Sequence, residues 1–407
     1  MIATLVSPVH DDPRTPRNAL TSMLAGLLGF VLLFSPYLIP GRDTAPRLTD
    51  LIGGILWILV PALLLTGHRL HRARSLRLLL VVWLVLAWVL RDAFLYGINP
   101  EVAQLRWMLA IPCAYLLATL CVDPALRRCI AIGIFCGAVG NLWVVAMQAM
   151  GHNDLMIALG LTSPRFDHWW VQVSGVDVVR PVGMWGHPNA SAGVIALALP
   201  AALGAAEGRR SELRWLLAGL AVVMLGSALT LTRSSAVVGA LVVLAWIFFS
   251  RGTVSRPARL ALLGAFVIGG IVVGPPGGWE RWTSGRNATN ESGRQLATTA
   301  AFQLAVEHPL GIGAEYQVAL RESTGGIPAT HNAWLYLALL AGLPLTILML
   351  GATLRLAFRL GGHARLEVWV AITLLGIAMF EEYFRTPIVQ ILALYLLATD
   401  LPRDAQP

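Results

Sequence analysis

Residues 129–150 read CIAIGIFCGAVGNLWVVAMQAM: twenty-two positions with no formal charge. At about 1.5 Å per residue, a helix of that length covers the roughly 30 Å hydrocarbon core of a bilayer. A soluble helix of similar length keeps a charged face toward water, and this stretch has none. Arg127 and Arg128 directly precede it, which sets that end on the inward side, where basic residues collect. Eleven further apolar runs flank it: 19–39, 50–67, 76–90 and 105–122 before it, then 189–206, 215–232, 234–250, 258–274, 332–352, 366–383 and 386–399. The predicted fold is an all-α integral membrane protein with about 12 transmembrane helices.

Composition agrees. Of 407 residues, 57% are hydrophobic and 13% charged, whereas soluble domains run near a quarter charged. A net charge of +8 points to nucleic acid in a soluble protein, but here its distribution gives it another meaning. All thirty basic residues are arginine, and with the N-terminus inside, eighteen fall in short inward loops and tails. That asymmetry supports an N-in, C-in topology. The first apolar run reads as a retained helix, because Asp11, Asp12, Pro13 and Pro16 precede it and no small-residue cleavage site follows. Cys113, Cys121, Cys129 and Cys136 form no C-x-x-C pair, which argues against zinc and against a disulfide framework.

The chain then divides into an inward tail (1–18), five helices (19–150), a long outward loop (151–188), helices six to nine (189–274), a second long outward loop (275–331), helices ten to twelve (332–399) and an inward tail (400–407). Loops this long on a compact bundle are usually functional or disordered. Both are rich in aromatic residues suited to a membrane interface: Phe166, Trp169, Trp170 and Trp185 in the first, Trp279 and Trp282 in the second. The stretch GRQLATTAAFQLAVE (293–307) has apolar residues at helical spacing and predicts a short helix ended by His308-Pro309. The GIGAEY segment after it predicts a turn.

Among residues able to carry chemistry, Arg233 is the only formal charge between Trp215 and Ser250. It serves either as an anchor snorkelling to the outer headgroups or as an ionisable group marking a substrate path. Its guanidinium fork suits phosphate oxygens. His331 opens the tenth span, with Thr330 placed to cap it. Such a histidine is either structural or a general base, for which a neutral imidazole is required. The outward loops add Arg165, Arg180, Arg281, Arg286, Arg294 and Arg321, a positive cluster that attracts a diphosphate headgroup. No D-x-D pair in those loops offers to hold a divalent metal; neither metal nor cofactor is expected. Glu381 and Glu382 are the acidic pair at membrane level; they serve either as an alternative base or as partners of Arg385, with the structural pairing favoured.

Four ordered stretches resemble the O-antigen ligase and polymerase superfamily: RPVGMWGHPNASAGVIALALP (180–200), LTLTRSSAVVGALV (229–242), SGRQLATTAAFQLAVEHPLGIGAEY (292–316) and THNAWLYLALLAGLPL (330–345). The similarity covers roughly the C-terminal half of the chain. It implies a membrane-embedded glycosyltransferase of GT-C type in the bacterial inner membrane, working on the periplasmic side. Such enzymes move a glycan from undecaprenyl diphosphate to an acceptor hydroxyl, without metal and with inversion. By the same resemblance His331 is the base that activates the acceptor, and Arg233, Arg294, Arg281 and Arg180 hold the diphosphate. One departure stands out. Where the family often has a glutamate after the His-Asn helix, this sequence has LALLAGLP, with Leu340 or Ala341 in its place.

The ligase reading, with lipid A–core oligosaccharide as acceptor, is favoured because basic, aromatic loops suit a phosphorylated amphiphile. A polymerase extending another glycan repeat and a protein O-oligosaccharyltransferase are the alternatives within the superfamily. A flippase for lipid-linked oligosaccharide is the alternative from another class, but transporters place polar residues near the bilayer midplane. Here they gather in outward loops and at helix starts. The expected partners are the lipid-linked glycan, lipid A–core and the bilayer, and no nucleic acid.

Overall fold

The computed structural model describes residues 19–42, 45–65, 72–96, 102–164, 169–173, 176–207, 211–249, 257, 260, 264, 286–358, 366–380 and 382–399. The first five predicted spans correspond to α1 (Ala19–Leu33), α2 (Leu48–Leu65), α3 (Arg72–Tyr96), α4 (Val102–Leu120) and α5 (Pro124–Ala149). The start of α5 is set locally: Asp123 Oδ1 accepts from Ala125 N–H at 2.8 Å, and Pro124 occupies the first turn, where its missing N–H costs nothing. By length and composition, four helical stretches among the described residues suffice to cross a membrane: Ser75–Tyr96, Pro124–Ala149, Pro188–Ala205 and Glu212–Leu229. Shorter apolar helices of 10–17 residues accompany them in the sequence. Large apolar side chains such as Ile58, Trp83, Leu90, Phe94 and Phe248 are exposed, as suits a lipid-facing surface.

Glycines bring α1 and α5 together. A Cβ on Gly133 of α5 would lie 1.9 Å from the Gly26 carbonyl oxygen of α1, and one on Gly29 would lie 2.3 Å from the Ile130 carbonyl oxygen. Helices in lipid gain nothing from hiding apolar surface from one another, so close van der Waals contact across small residues must supply the attraction. Gly54 of α2 has open space at the same position. The Gly133→Ala variant is therefore expected to lose on the order of 1–2 kcal/mol from overpacking and to lower the thermal midpoint in detergent. Gly54→Ala should leave that midpoint unchanged or raise it, since alanine is the better helix former.

The loop predicted over 151–188 contains a short helix α6 (Asn153–Ala158), an antiparallel hairpin of β1 (Trp170–Val173) and β2 (Val176–Val179), and a 3-10 turn at Gly183–Trp185. Span six is broken into α7 (Pro188–Ala196) and α8 (Ala198–Ala205). The cause is Pro200, which has no N–H to return to Ala196. Spans seven and eight form α9 (Glu212–Leu229) and α10 (Arg233–Phe249). The ninth predicted span, 258–274, lies outside the described residues except at 260 and 264.

In the second loop the predicted helix is α11 (Arg286–Glu307), which starts earlier than its apolar pattern and stops at His308-Pro309. The predicted turn is a 3-10 turn (Gly313–Glu315), followed by a helix not expected from the sequence, α12 (Tyr316–Thr324). Span ten is divided between α13 (Ala333–Ala341) and α14 (Leu343–Ala357), with Gly342 at φ 98° between them. Only glycine adopts that conformation without strain. The last two spans are α15 (Leu366–Ala378) and α16 (Pro387–Ala398), linked through a 3-10 turn at Tyr383–Arg385.

The break at Gly342 serves as a docking point. Ile312 N–H donates to Leu339 O at 2.6 Å, and Leu343 N–H donates to Pro309 O at 2.8 Å. Arg91 of α3 donates to the carbonyls of Leu310, Gly311 (2.7 Å) and Leu340 (3.2 Å). Its neighbour Asp92 is buried, accepting from Trp88 Nε1 at 2.9 Å and Gln104 Nε2 at 2.8 Å. Carbonyls in the last turn of a helix have no intrahelical partner, so the Arg91 fork fixes both the end of α13 and the H-P-L-G-I-G segment laid against it.

Candidate functional site

Arg233 begins α10 immediately after a tight turn, Thr230–Leu231–Thr232, in which Leu231 has φ 51°. The turn closes on the end of α9: Thr230 N–H and Oγ1 both donate to Gly226 O, at 3.0 and 2.6 Å, and Thr232 N–H donates to Ser227 O at 3.0 Å. Arg180, buried where the β-hairpin returns, binds this turn from outside. Its Nε donates to Thr230 O at 3.0 Å, and its Nη2 donates to Thr232 Oγ1 at 2.7 Å and Asn189 Oδ1 at 2.9 Å. Asn189 lies in the first turn of α7, whose cap is His187; the His187 Nδ1 accepts from Asn189 N–H at 3.2 Å. Arg180 thus ties the first long loop, the H-P-N helix start and the Arg233 turn into one unit.

The His331 side is built in the same way. His331 has φ 50° and is half-buried. The cap of α13 is Asn332, not Thr330 as the sequence suggested: its Oδ1 accepts from Trp334 N–H at 2.9 Å and Leu335 N–H at 3.1 Å. The helix starts at Ala333, two residues later than a Thr330 cap would set it, and Thr330 is left to do something else. Its N–H and Oγ1 donate to Glu382 Oε1 at 2.9 and 3.2 Å. Glu382 also pairs with Arg385 at 2.8 Å, the structural pairing expected for that acid. Tyr316 donates to Glu382 Oε2 at 3.4 Å, and Arg385 donates to the Tyr316 hydroxyl. Burial, reinforced by the Glu382 carboxylate, pushes the Tyr316 phenol up to about 12, so it remains a donor at neutral pH.

A short path joins the two sides. Tyr383, next to Glu382, donates to Asn189 O at 2.8 Å. Its ring lies against the backbone of α7, where a Cβ on Gly193 would sit 2.2 Å from Tyr383 Cε1. From Arg180 through Asn189, Tyr383, Glu382 and Thr330, the connection reaches His331. Arg294 is exposed on α11, a helix that packs against α12 and α13. The backbone at Gly293 lies against Ile327, four residues before His331. Arg281 and Arg165 lie outside the described residues, as do Trp279, Trp282 and Glu381.

Nothing in the sequence singles out Thr232, Asn189 or Tyr383, whose importance is purely relational. Glu382 has a visible signal, an acid at membrane level three residues before an arginine. For Arg180, lysine is the informative replacement: it keeps the charge but not the fork that spans Thr230 O, Thr232 Oγ1 and Asn189 Oδ1. The Arg180→Lys variant is expected to lose about 1 kcal/mol of stability, measured as a lower thermal midpoint than that of the parent chain.

Apolar helices, four of them among the described residues long enough to cross a bilayer, define a helical protein of membrane type. Residues 216–350, from α9 into α14, match the model of the O-antigen ligase family, consistent with the O-antigen ligase and polymerase superfamily. Members of that family are glycosyltransferase-like enzymes. The matched segment contains Arg233, Arg281, Arg294 and His331, and excludes Arg180 and Glu382. No curated protein and no solved structure matches the chain.

Proposed function

We propose that this protein is an O-antigen ligase. It transfers a glycan from undecaprenyl diphosphate to a hydroxyl of lipid A–core oligosaccharide at the periplasmic face of the inner membrane. It has about 12 spans, a GT-C-type arrangement and both termini in the cytoplasm. The observation that carries this reading is the hydrogen-bonded path from the Arg180–Thr232 turn, which presents Arg233, to the Thr330 turn, which presents His331. A cation for a diphosphate and a base for a hydroxyl are the two groups that glycosyl transfer from a lipid diphosphate requires.

In this mechanism the neutral His331 imidazole takes the proton of the acceptor hydroxyl. The acceptor oxygen attacks the anomeric carbon of the donor sugar, and the bond from that carbon to the diphosphate oxygen breaks with inversion. Undecaprenyl diphosphate leaves with the electron pair, and the proton on His331 passes to water. Arg233 meets the leaving diphosphate at the start of α10, where the helix dipole also favours an anion. Arg294, exposed on α11, and Arg281 complete the cationic side of the donor site. Arg180 acts with them from its place beside the Arg233 turn.

The test is transfer by the purified full chain, supplied with undecaprenyl-diphosphate glycan, lipid A–core and a chelator. New conjugates on lipid A–core are expected. Glycan elongation without lipid A–core would replace the ligase by the polymerase. Lipid movement across proteoliposomes with no new glycosidic bond would overturn the enzyme reading altogether.

A further inference from the structure

Two non-glycine residues among those described have positive φ, Leu231 and His331. One lies two positions before Arg233, the other is the proposed base itself. A left-handed backbone is strained at an ordinary residue and persists only where the surroundings over-determine it. At Leu231 the over-determining group is Arg180. At His331 the local sequence supplies only part of the restraint: Thr330 Oγ1 donates to Asn332 O at 2.8 Å, and Asn332 caps α13. A further restraint comes from a distant part of the chain. Glu382 Oε1 accepts the N–H of Thr330, the residue just before the base, at 2.9 Å, and shares the single Thr330 hydroxyl hydrogen with Asn332 O, the nearer acceptor.

Glu382 is well made for this task. It is 7% exposed, and bonds from a sheltered carboxylate to N–H and O–H groups are among the stronger ones available. Its other side is held by Arg385 at 2.8 Å and by the Tyr316 hydroxyl. Arg385 lies over the Tyr336 ring, 5.3 Å from its centroid, on α13 itself. The carboxylate is thus anchored to the helix that follows the base and bonded to the residue that precedes it.

We propose that Glu382 is a positioning residue for the transfer reaction. It locks the Thr330–His331–Asn332 turn in its left-handed form and so sets the direction in which the imidazole faces the acceptor. This inference rests on the reading of His331 as the base. It assigns Glu382 no proton transfer and no contact with the donor. A side chain that acts only on the aim of the base should alter turnover and leave the number and affinity of donor sites alone. A merely structural carboxylate would lower both together.

The experiment measures turnover with undecaprenyl-diphosphate glycan and lipid A–core, divided by the number of donor sites titrated in the same sample of full chain. Glu382→Ala is expected to reduce turnover per site by about tenfold or more, with donor affinity within twofold of the parent, consistent with the steep dependence of rate on placement. Glu382→Gln keeps an acceptor oxygen for Thr330 and should recover turnover to within about threefold of the parent. Should Glu382→Ala bind no donor, the contact is tested from its other side: Thr330→Val should lower turnover per site, and Thr330→Ser should not. Parental turnover per site in Glu382→Ala, a glutamine variant no better than alanine, or equal rates for Thr330→Val and Thr330→Ser would each overturn the proposal. Loss of turnover in His331→Ala beside an unaffected Glu382→Ala would leave the base in place and remove only its positioning residue. Full turnover in His331→Ala would instead remove the base.

Discussion

Turnover in the His331→Ala variant is expected to fall by about 10²–10⁴-fold, the usual contribution of a general base, with donor affinity unchanged. His331 sits at φ 50°. Alanine is poorly suited to a left-handed backbone, so lost activity in that variant mixes missing chemistry with a relaxed turn. Asparagine separates the two effects, since it tolerates the same conformation and lacks a basic ring nitrogen. His331→Asn should therefore match His331→Ala in lost turnover and exceed it in thermal midpoint. The measurements are single-turnover transfer to lipid A–core and a melting curve for each variant. If His331→Asn keeps parental turnover, the imidazole is not the base and the histidine serves the turn alone.

The second large effect is on donor binding. Arg233→Ala should weaken the affinity for undecaprenyl-diphosphate glycan by about 10–100-fold, the loss of one or two charge-assisted bonds at about 1.4 kcal/mol per factor of ten. Arg233→Lys should recover only part of it, because a point charge cannot reproduce the fork. Arg214 provides the control. It is exposed near the start of α9, opposite the end that meets the Thr230 turn. At about 1.5 Å per residue, that places it roughly 25 Å away. Arg214→Ala should bind donor like the parent. Equal affinities in Arg233→Ala, Arg214→Ala and the parent, measured by binding of the labelled lipid donor, would remove Arg233 from the diphosphate site.

Much of the helical framework is legible in the amino-acid pattern. The uncharged run 129–150 and its companions place helices in eleven of the twelve predicted stretches, with the ninth outside the described residues. Helical spacing in 293–307 and the stop at His308-Pro309 also match the fold. The departures share a cause. Hydropathy averages over a window, so it cannot see that Pro200 divides one span and Gly342 another. It cannot see that Asn332 rather than Thr330 caps α13 either. A cap depends on where each side chain's oxygen is already engaged: Thr330 Oγ1 closes on Asn332, donating to its carbonyl and accepting from its N–H, and so does not reach the first N–H groups of α13.

What the sequence determined by itself is the placement of apolar mass: which segments form helices, how uncharged residues 129–150 fit a bilayer, and which arginines and histidine stand at helix ends. Those properties are local, set by transfer free energy and backbone hydrogen bonding within a segment. The tertiary structure decided which helix ends meet. Arg180 and Thr232 are 52 residues apart in the chain, Tyr383 and Asn189 are 194 apart, and Thr330 and Glu382 are 52 apart. Each pair exists because packed helices bring polar groups together where few other partners are available, and a buried donor must find an acceptor. The uncharged stretch 129–150 announces the membrane; the contacts of Glu382 and Arg180 give His331 and the Arg233 turn their conformations.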